Sequence, residues 1–204
     1  MNKKGTDMKM KRWIKRSGQW SLALAMLVLG AAATASPPSP AMLSNACAGC
    51  HGTNGGSAGP VMPSLAGQSK EAIVEALKKF KSGERPSTIM GRLAKGYTEA
   101  DFAVMGDFFA GQKLHVTHQA LDQKRIAKGA SLQEANCGRC HIEDGKEGKD
   151  DTPAMAGQWL PYIQMQMAMY LNGTRKMSEK KEEKIKPLSA DDIESLLHFY
   201  ASVK

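Results

Sequence analysis

The chain has 204 residues, with 28 Lys and Arg against 20 Asp and Glu, a formal charge of +8, and four cysteines. The excess charge sits at one end: residues 1–35 hold seven basic residues and one acid, which leaves residues 36–204 with 21 basic and 19 acidic residues, a charge of +2. That near balance excludes nucleic-acid binding argued from charge, and the length past residue 35 suits one domain or two small ones.

In chain order, Lys3, Lys4, Lys9, Lys11, Arg12, Lys15 and Arg16 precede an apolar run from Leu22 to Ala33. Ala33-Thr34-Ala35 then supplies a small-x-small cleavage signal. This pattern predicts a signal peptide over 1–35. The run is shorter than the ~20 residues of a spanning helix, so no membrane span is expected in the mature chain. Arg12 and Arg16 are not adjacent, which argues against a twin-arginine signal and for export of an unfolded chain to the periplasm. Ser36 to Ala41, with three prolines, reads as an extended leader.

Cys47-Ala48-Gly49-Cys50-His51 follows, and Cys137-Gly138-Arg139-Cys140-His141 has the same form; together they use every cysteine. On a helix, residues three apart share a face, so two thiols can add to the two vinyl groups of one porphyrin while the next imidazole reaches its iron. A redox disulfide or a zinc site would explain one Cys-x-x-Cys. Two copies with His in the same place point to two covalent haem c groups instead. Cys47, Cys50, Cys137 and Cys140 are the expected attachment points, and His51 and His141 the expected iron ligands.

The chain can be laid on itself at an offset of 90. Pro63-Ser64-Leu65-Ala66-Gly67-Gln68 then falls on Pro153-Ala154-Met155-Ala156-Gly157-Gln158, and Phe80-x-x-Gly83-x-Arg85 on Tyr170-x-x-Gly173-x-Arg175. At an offset of 91, Tyr97 to Phe102 matches Leu188 to Ile193, and Phe108-Phe109-Ala110 matches Phe199-Tyr200-Ala201. Two tandem copies of one unit are expected. Ile73, Leu77 and Phe80 space one buried face over a helix from Lys70 to Lys81, ended by Gly83 and Pro86; Ile163, Met167 and Tyr170 repeat that face. Thr98 and Ser189 read as N-caps of the last helix of each unit. No segment alternates over a strand's length, so the fold class is all-α. Gly111 to Gln119 reads as the connector and Leu121 to Glu134 as the opening helix of the second unit.

Each iron needs a sixth ligand, and thirteen methionines compete. Met90 lies on a loop after the first Gly-x-Arg and can fold back over the haem; Met62 is only eleven residues past His51, and Met105 sits inside a helix. Met177 holds the corresponding place in the second unit, on a shorter loop. Met155, its rival, aligns with Leu65, which cannot ligate iron. His115, His118 and His198 would give bis-histidine ligation, but two lie in the connector and His198 aligns with Asp107, so exposed surface positions are expected. Gly52, Gly55, Gly56 and Gly59 suggest a loop against a haem edge; no strand precedes them, as a phosphate-cradling loop requires.

These motifs together resemble the dihaem class I cytochromes of the c-four type. Cys47 to Thr53, Phe80 to Glu84, Ser87 to Tyr97 and Ala156 to Trp159 resemble more closely the cytochrome subunit of flavocytochrome c sulfide dehydrogenase. Arg175-Lys176-Met177 leaves no room for the Asn-Asp pair usual in the c-four pattern. The resemblance implies two class I cytochrome c domains related by a pseudo-twofold, 36–114 and 124–204, joined by a connector at 115–123, with haem propionates near the domain boundary. It implies Met90 and Met177 as axial sulfurs and two haem c groups on this chain. It implies a flavoprotein sulfide dehydrogenase partner that carries the FAD in a heterodimer, and a small cytochrome c or similar acceptor. The chain would be an electron-transfer subunit and not catalytic alone. Met165 and Met169 replace the Glu75 and Lys79 of the first copy, so they either form an interface with the sister domain or the flavoprotein or repack under the charged segment from Ser178 to Lys186.

Overall fold

The structure, a computed structural model, describes residues 38–148 and 150–204. The predicted signal peptide therefore lies outside the described residues. The first half contains helices α1 (Pro40–Asn45), α2 (Ala48–His51), α3 (Lys70–Ser82), α4 (Met90–Leu93) and α5 (Glu99–Ala110). The second contains α6 (Gln123–Leu132), α7 (Leu160–Leu171), α8 (Glu179–Ile185) and α9 (Ala190–Ser202), with a two-stranded hairpin of β1 (His141–Ile142) and β2 (Glu147–Gly148). The all-α reading holds, with this hairpin as the small departure among the described residues.

The two halves repeat the same local hydrogen bonds. Gly55 O accepts from the amides of Leu65 and Ala66, and Gly145 O from those of Met155 and Ala156. Gly67 N donates to Phe109 O, and Gly157 N to Tyr200 O. Thr98 and Ser189 each close a capping box, with Asp101 and Asp192 returning the bond to the cap's own amide. These boxes satisfy orphan donors at each helix start, which is why short polar residues sit there. Of the apolar face predicted for α3, Ile73 is buried and Leu77 packs beside it against Met105 and Phe109, while Phe80 is half-buried under the Arg85 guanidinium. In the second half, Ile163 joins Ile193, Leu196, Phe199 and Tyr200 in the core.

Three elements differ from expectation. Ser36 to Ala41 is not extended throughout: Ser39 caps α1 by accepting from Met42 N, and Pro40 opens the helix, a position where its missing N–H costs nothing. The opening helix of the second unit runs only from Gln123 to Leu132, capped by Asp122, before a wider turn carries the chain from Gln133 to Cys137. The predicted connector is also bolted down. Thr117 N and Oγ1 both donate to Gly157 O, and the Gln119 side chain accepts from Leu160 N, capping α7 in place of the non-capping Trp159.

The halves meet through two reciprocal amide pairs. The Gln68 side chain donates to Ala154 O and accepts from Ala154 N, both at 2.9 Å. Gln158 donates to Ser64 O at 2.8 Å and accepts from Ser64 N at 3.0 Å. Gln68 and Gln158 are repeat partners, so one device is used twice about a pseudo-twofold. All of these bonds are buried, and an unmatched group there costs about 1–3 kcal/mol. Gln158→Leu should therefore destabilise the chain by about 3 kcal/mol, read as a lower denaturant midpoint; an unchanged midpoint would show that the seam contributes nothing.

Candidate haem centres

The first Cys-x-x-Cys-His stretch forms one helical turn, in which the amides of Cys50 and His51 both donate to Cys47 O. The Cys47 and Cys50 thiols are free, one half-buried and one exposed, so neither is spent on a disulfide. Burial is the larger cause pushing the Cys47 thiol up, with Cys50 adding to it. His51 is 8% exposed, and its Nδ1 lies 2.8 Å from Pro63 O. A carbonyl can only accept, so the ring proton sits on Nδ1 and the Nε2 lone pair is left for a metal. Burial also lowers the His51 pKa and so favours the neutral, ligand-competent imidazole. The next residue must be glycine: Gly52 has φ +76°, and a Cβ there would lie 1.9 Å from Gly56 O.

The second stretch reaches a similar end by a different path. Cys140 N still donates to Cys137 O, but His141 leaves the turn and begins β1, paired with Gly148. The predicted helical placement of His141 is thus corrected: the Gln133 side chain donates to His141 O at 2.7 Å and draws the backbone out of helical register. The Tyr200 hydroxyl bonds to the same Gln133 side chain, and its ring lies 5.7 Å from the imidazole. Leu43 and Phe109 occupy the equivalent places in the first half. The repeat alignment therefore held the signal for this polar replacement, though sequence reasoning passed over it. His141 is held at about 4, chiefly by burial and then by the charge of Lys181. Its Nδ1 is buried and has no hydrogen-bond partner among the described residues.

Of the candidate sixth ligands, Met90 opens α4 and is half-buried, on a loop organised by Ser87 Oγ accepting from Gly91 N at 2.7 Å. Met177 is half-buried and packs against the second core, as do Cys137, Met155 and Met167. Met105 is 2% exposed in the core of the first half, the packing role expected for it. His118 is exposed, but two of the three histidines expected at the surface are not. His198 Nδ1 accepts from Asp122 N, because the start of α6 docks on α9 there. His115 is half-buried against Gly56. Met165 is 42% exposed, and α7 instead meets the first half through Tyr162 and Gln166, so the sister domain does not cover it.

Free thiols three residues apart, each pair followed by an imidazole that burial keeps neutral, form a donor set that fits haem c in either half. Fold and sites together define an electron-transfer cytochrome c with two equivalent halves. The description "Cytochrome c" matches residues 40–120, and "Cytochrome C oxidase, cbb3-type, subunit III" matches residues 124–199. Cytochrome c-552 of Acidithiobacillus ferridurans is 46% identical over 167 residues, spanning 74% of this chain and 72% of that protein. The chain belongs to the cytochrome c family. The cytochrome subunit of sulfide dehydrogenase from Chlorobaculum tepidum is 52% identical over 68 residues, which are 33% of this chain and 61% of that protein. The crystal structure of reduced recombinant cytochrome c4 from Pseudomonas stutzeri shares the fold, with a TM-score of 0.71 at 24% identity over 81% of this chain and 97% of that one. Among the described residues, no helix is long and apolar enough to cross a membrane.

Proposed function

We propose that this chain is the dihaem electron-transfer subunit of a periplasmic sulfide-oxidising flavocytochrome. Cys47 and Cys50 would hold one haem c, with His51 and Met90 as its iron ligands, and Cys137 and Cys140 the other, with His141 and Met177. A haem c held in either half would supply one-electron chemistry there. The chain's own thiols would hold the ring, and burial keeps each imidazole neutral. The observation that carries the reading is the buried His51 ring, oriented by Pro63 O with its Nε2 left free. Electrons arrive from a flavoprotein sulfide dehydrogenase subunit that holds FAD and leave to a small cytochrome c. The 52% identity to a sulfide dehydrogenase cytochrome subunit supports that partner.

A second reading, a free dihaem carrier, is favoured by the longer match to cytochrome c-552. Expression in a host with haem c maturation, followed by native mass spectrometry with a flavoprotein encoded beside this chain, separates the two. A complex with two haems and one flavin supports the subunit; a dihaem chain that stays alone supports the carrier. For the axial ligands, Met90→Ala should abolish the sulfur-to-iron absorption of one haem and lower its reduction potential, because thioether ligation raises the potential. An unaltered band in both Met90→Ala and Met177→Ala would remove these methionines from the irons.

A further inference from the structure

The two halves build the same corner beside their Cys-x-x-Cys-His stretch from different chemistry. In the first half it is apolar: Leu43 packs against the cluster that holds Phe109, itself 2% exposed. Their repeat partners are Gln133 and Tyr200, each 3% exposed. Gln133 Nε2 donates to His141 O at 2.7 Å, which turns its Oε1 toward Tyr200 as the acceptor of the hydroxyl proton. The bonds thus run one way, from hydroxyl to amide to the carbonyl of His141, and each polarises the next.

Packing does not require this chain of bonds. The first half fills the same place with two hydrocarbon side chains, whereas a buried amide or hydroxyl destabilises unless it is paired. The imidazoles differ as well. His51 stays in its helical turn, and its Nδ1 proton is shared with Pro63 O. His141 is drawn by its carbonyl into β1, and its buried Nδ1 has no partner among the described residues, Pro153 O included. An imidazole that shares its ring proton with a carbonyl is the more basic ligand, and one that does not is the less basic. We infer that Gln133 and Tyr200 are positioning residues for the second iron: they hold His141 by its backbone and keep its ring proton unshared, which makes it the weaker donor of the two histidines. This rests on the dihaem reading above.

A weaker donor favours the reduced metal, so the haem on His141 should have the higher of the two potentials. The test is spectropotentiometric titration of the holoprotein after mass spectrometry has counted its haems, with denaturant unfolding of the same variants alongside. Gln133→Leu with Tyr200→Phe gives the second half the first half's own pair. The higher potential should then shift about tenfold toward the oxidised form, about 59 mV for a one-electron couple, while the lower stays where it was. Tyr200→Phe alone, which removes one oxygen and leaves the ring, should move the same potential in the same direction by less. Should the double variant fail to fold, that single change carries the comparison. A lowered unfolding midpoint with both potentials unmoved would reduce Gln133 and Tyr200 to packing and overturn the inference, as would a fall confined to the lower potential. A chain whose mass shows no haem would strike the dihaem reading instead.

Discussion

Replacing Cys137 and Cys140 together by alanine is expected to give a chain that carries one haem and has lost the order of its second half. The core of that half consists of Ile163, Ile185, Ile193, Leu196, Leu197 and their neighbours along α9. Cys137, Met155, Met167 and Met177 stand only half-buried around it, as side chains do when they line a face meant for a ring. Without iron, the buried His141 Nδ1 still lacks a hydrogen bond, and the imidazole loses the ligation that would justify its burial. A domain of this size has little apolar area to spare, so removing one large planar group removes a substantial part of what holds it. Mass spectrometry should show one tetrapyrrole fewer, the visible absorbance should halve, and far-ultraviolet circular dichroism should fall. Cys47→Ala with Cys50→Ala should damage its own half less, because His51 keeps its bond to Pro63 O. Two haems in the Cys137→Ala, Cys140→Ala chain would end the assignment of these thiols.

The repeat was legible because its marks are local. A thiol pair with histidine, Gly83 after α3, and Thr98 or Ser189 before an acid each act within a few residues, so they survive as a pattern at an offset of 90 or 91. The helix face of Ile73 and Leu77 was readable for the same reason. What was not legible joins residues far apart in the chain. Gln68 reaches Ala154, Gln158 reaches Ser64, and Arg85 and Arg175 share Gln166. Such pairings follow from how two folded units meet, and neither periodicity nor capping chemistry encodes that meeting. His198 shows the limit in miniature. Its alignment with exposed Asp107 suggested a solvated ring, yet α6 is a longer helix than α1, and the amide of its cap residue Asp122 uses the ring as acceptor.

That longer helix also concentrates the second half's vulnerability at one residue. Where α6 crosses α9, a Cβ on Gly129 would lie 2.2 Å from Ser195 O and 2.6 Å from Phe199 Cβ. Both are held in the buried core of the second half, so neither can swing aside as the end of an exposed lysine would. Gly129→Ala gains about 1 kcal/mol of helix propensity. The two helices must nevertheless move apart, and overpacking of a tight core costs typically 1–3 kcal/mol and sometimes more. The opening strips contact from Ile193, Leu197 and Phe199 along the crossing, so the sum favours destabilisation. Gly129→Ala should lower stability by about 3 kcal/mol, and Gly129→Val by more, since its branched side chain adds bulk where the first methyl already collides. Gly96→Ala is the matched control: nothing lies within 4 Å of its added Cβ. Denaturant unfolding of the holoprotein compares the three variants. If Gly129→Ala unfolds at the same midpoint as Gly96→Ala, then α6 and α9 are not in the contact described, and the second haem site must be braced by some other pair of elements.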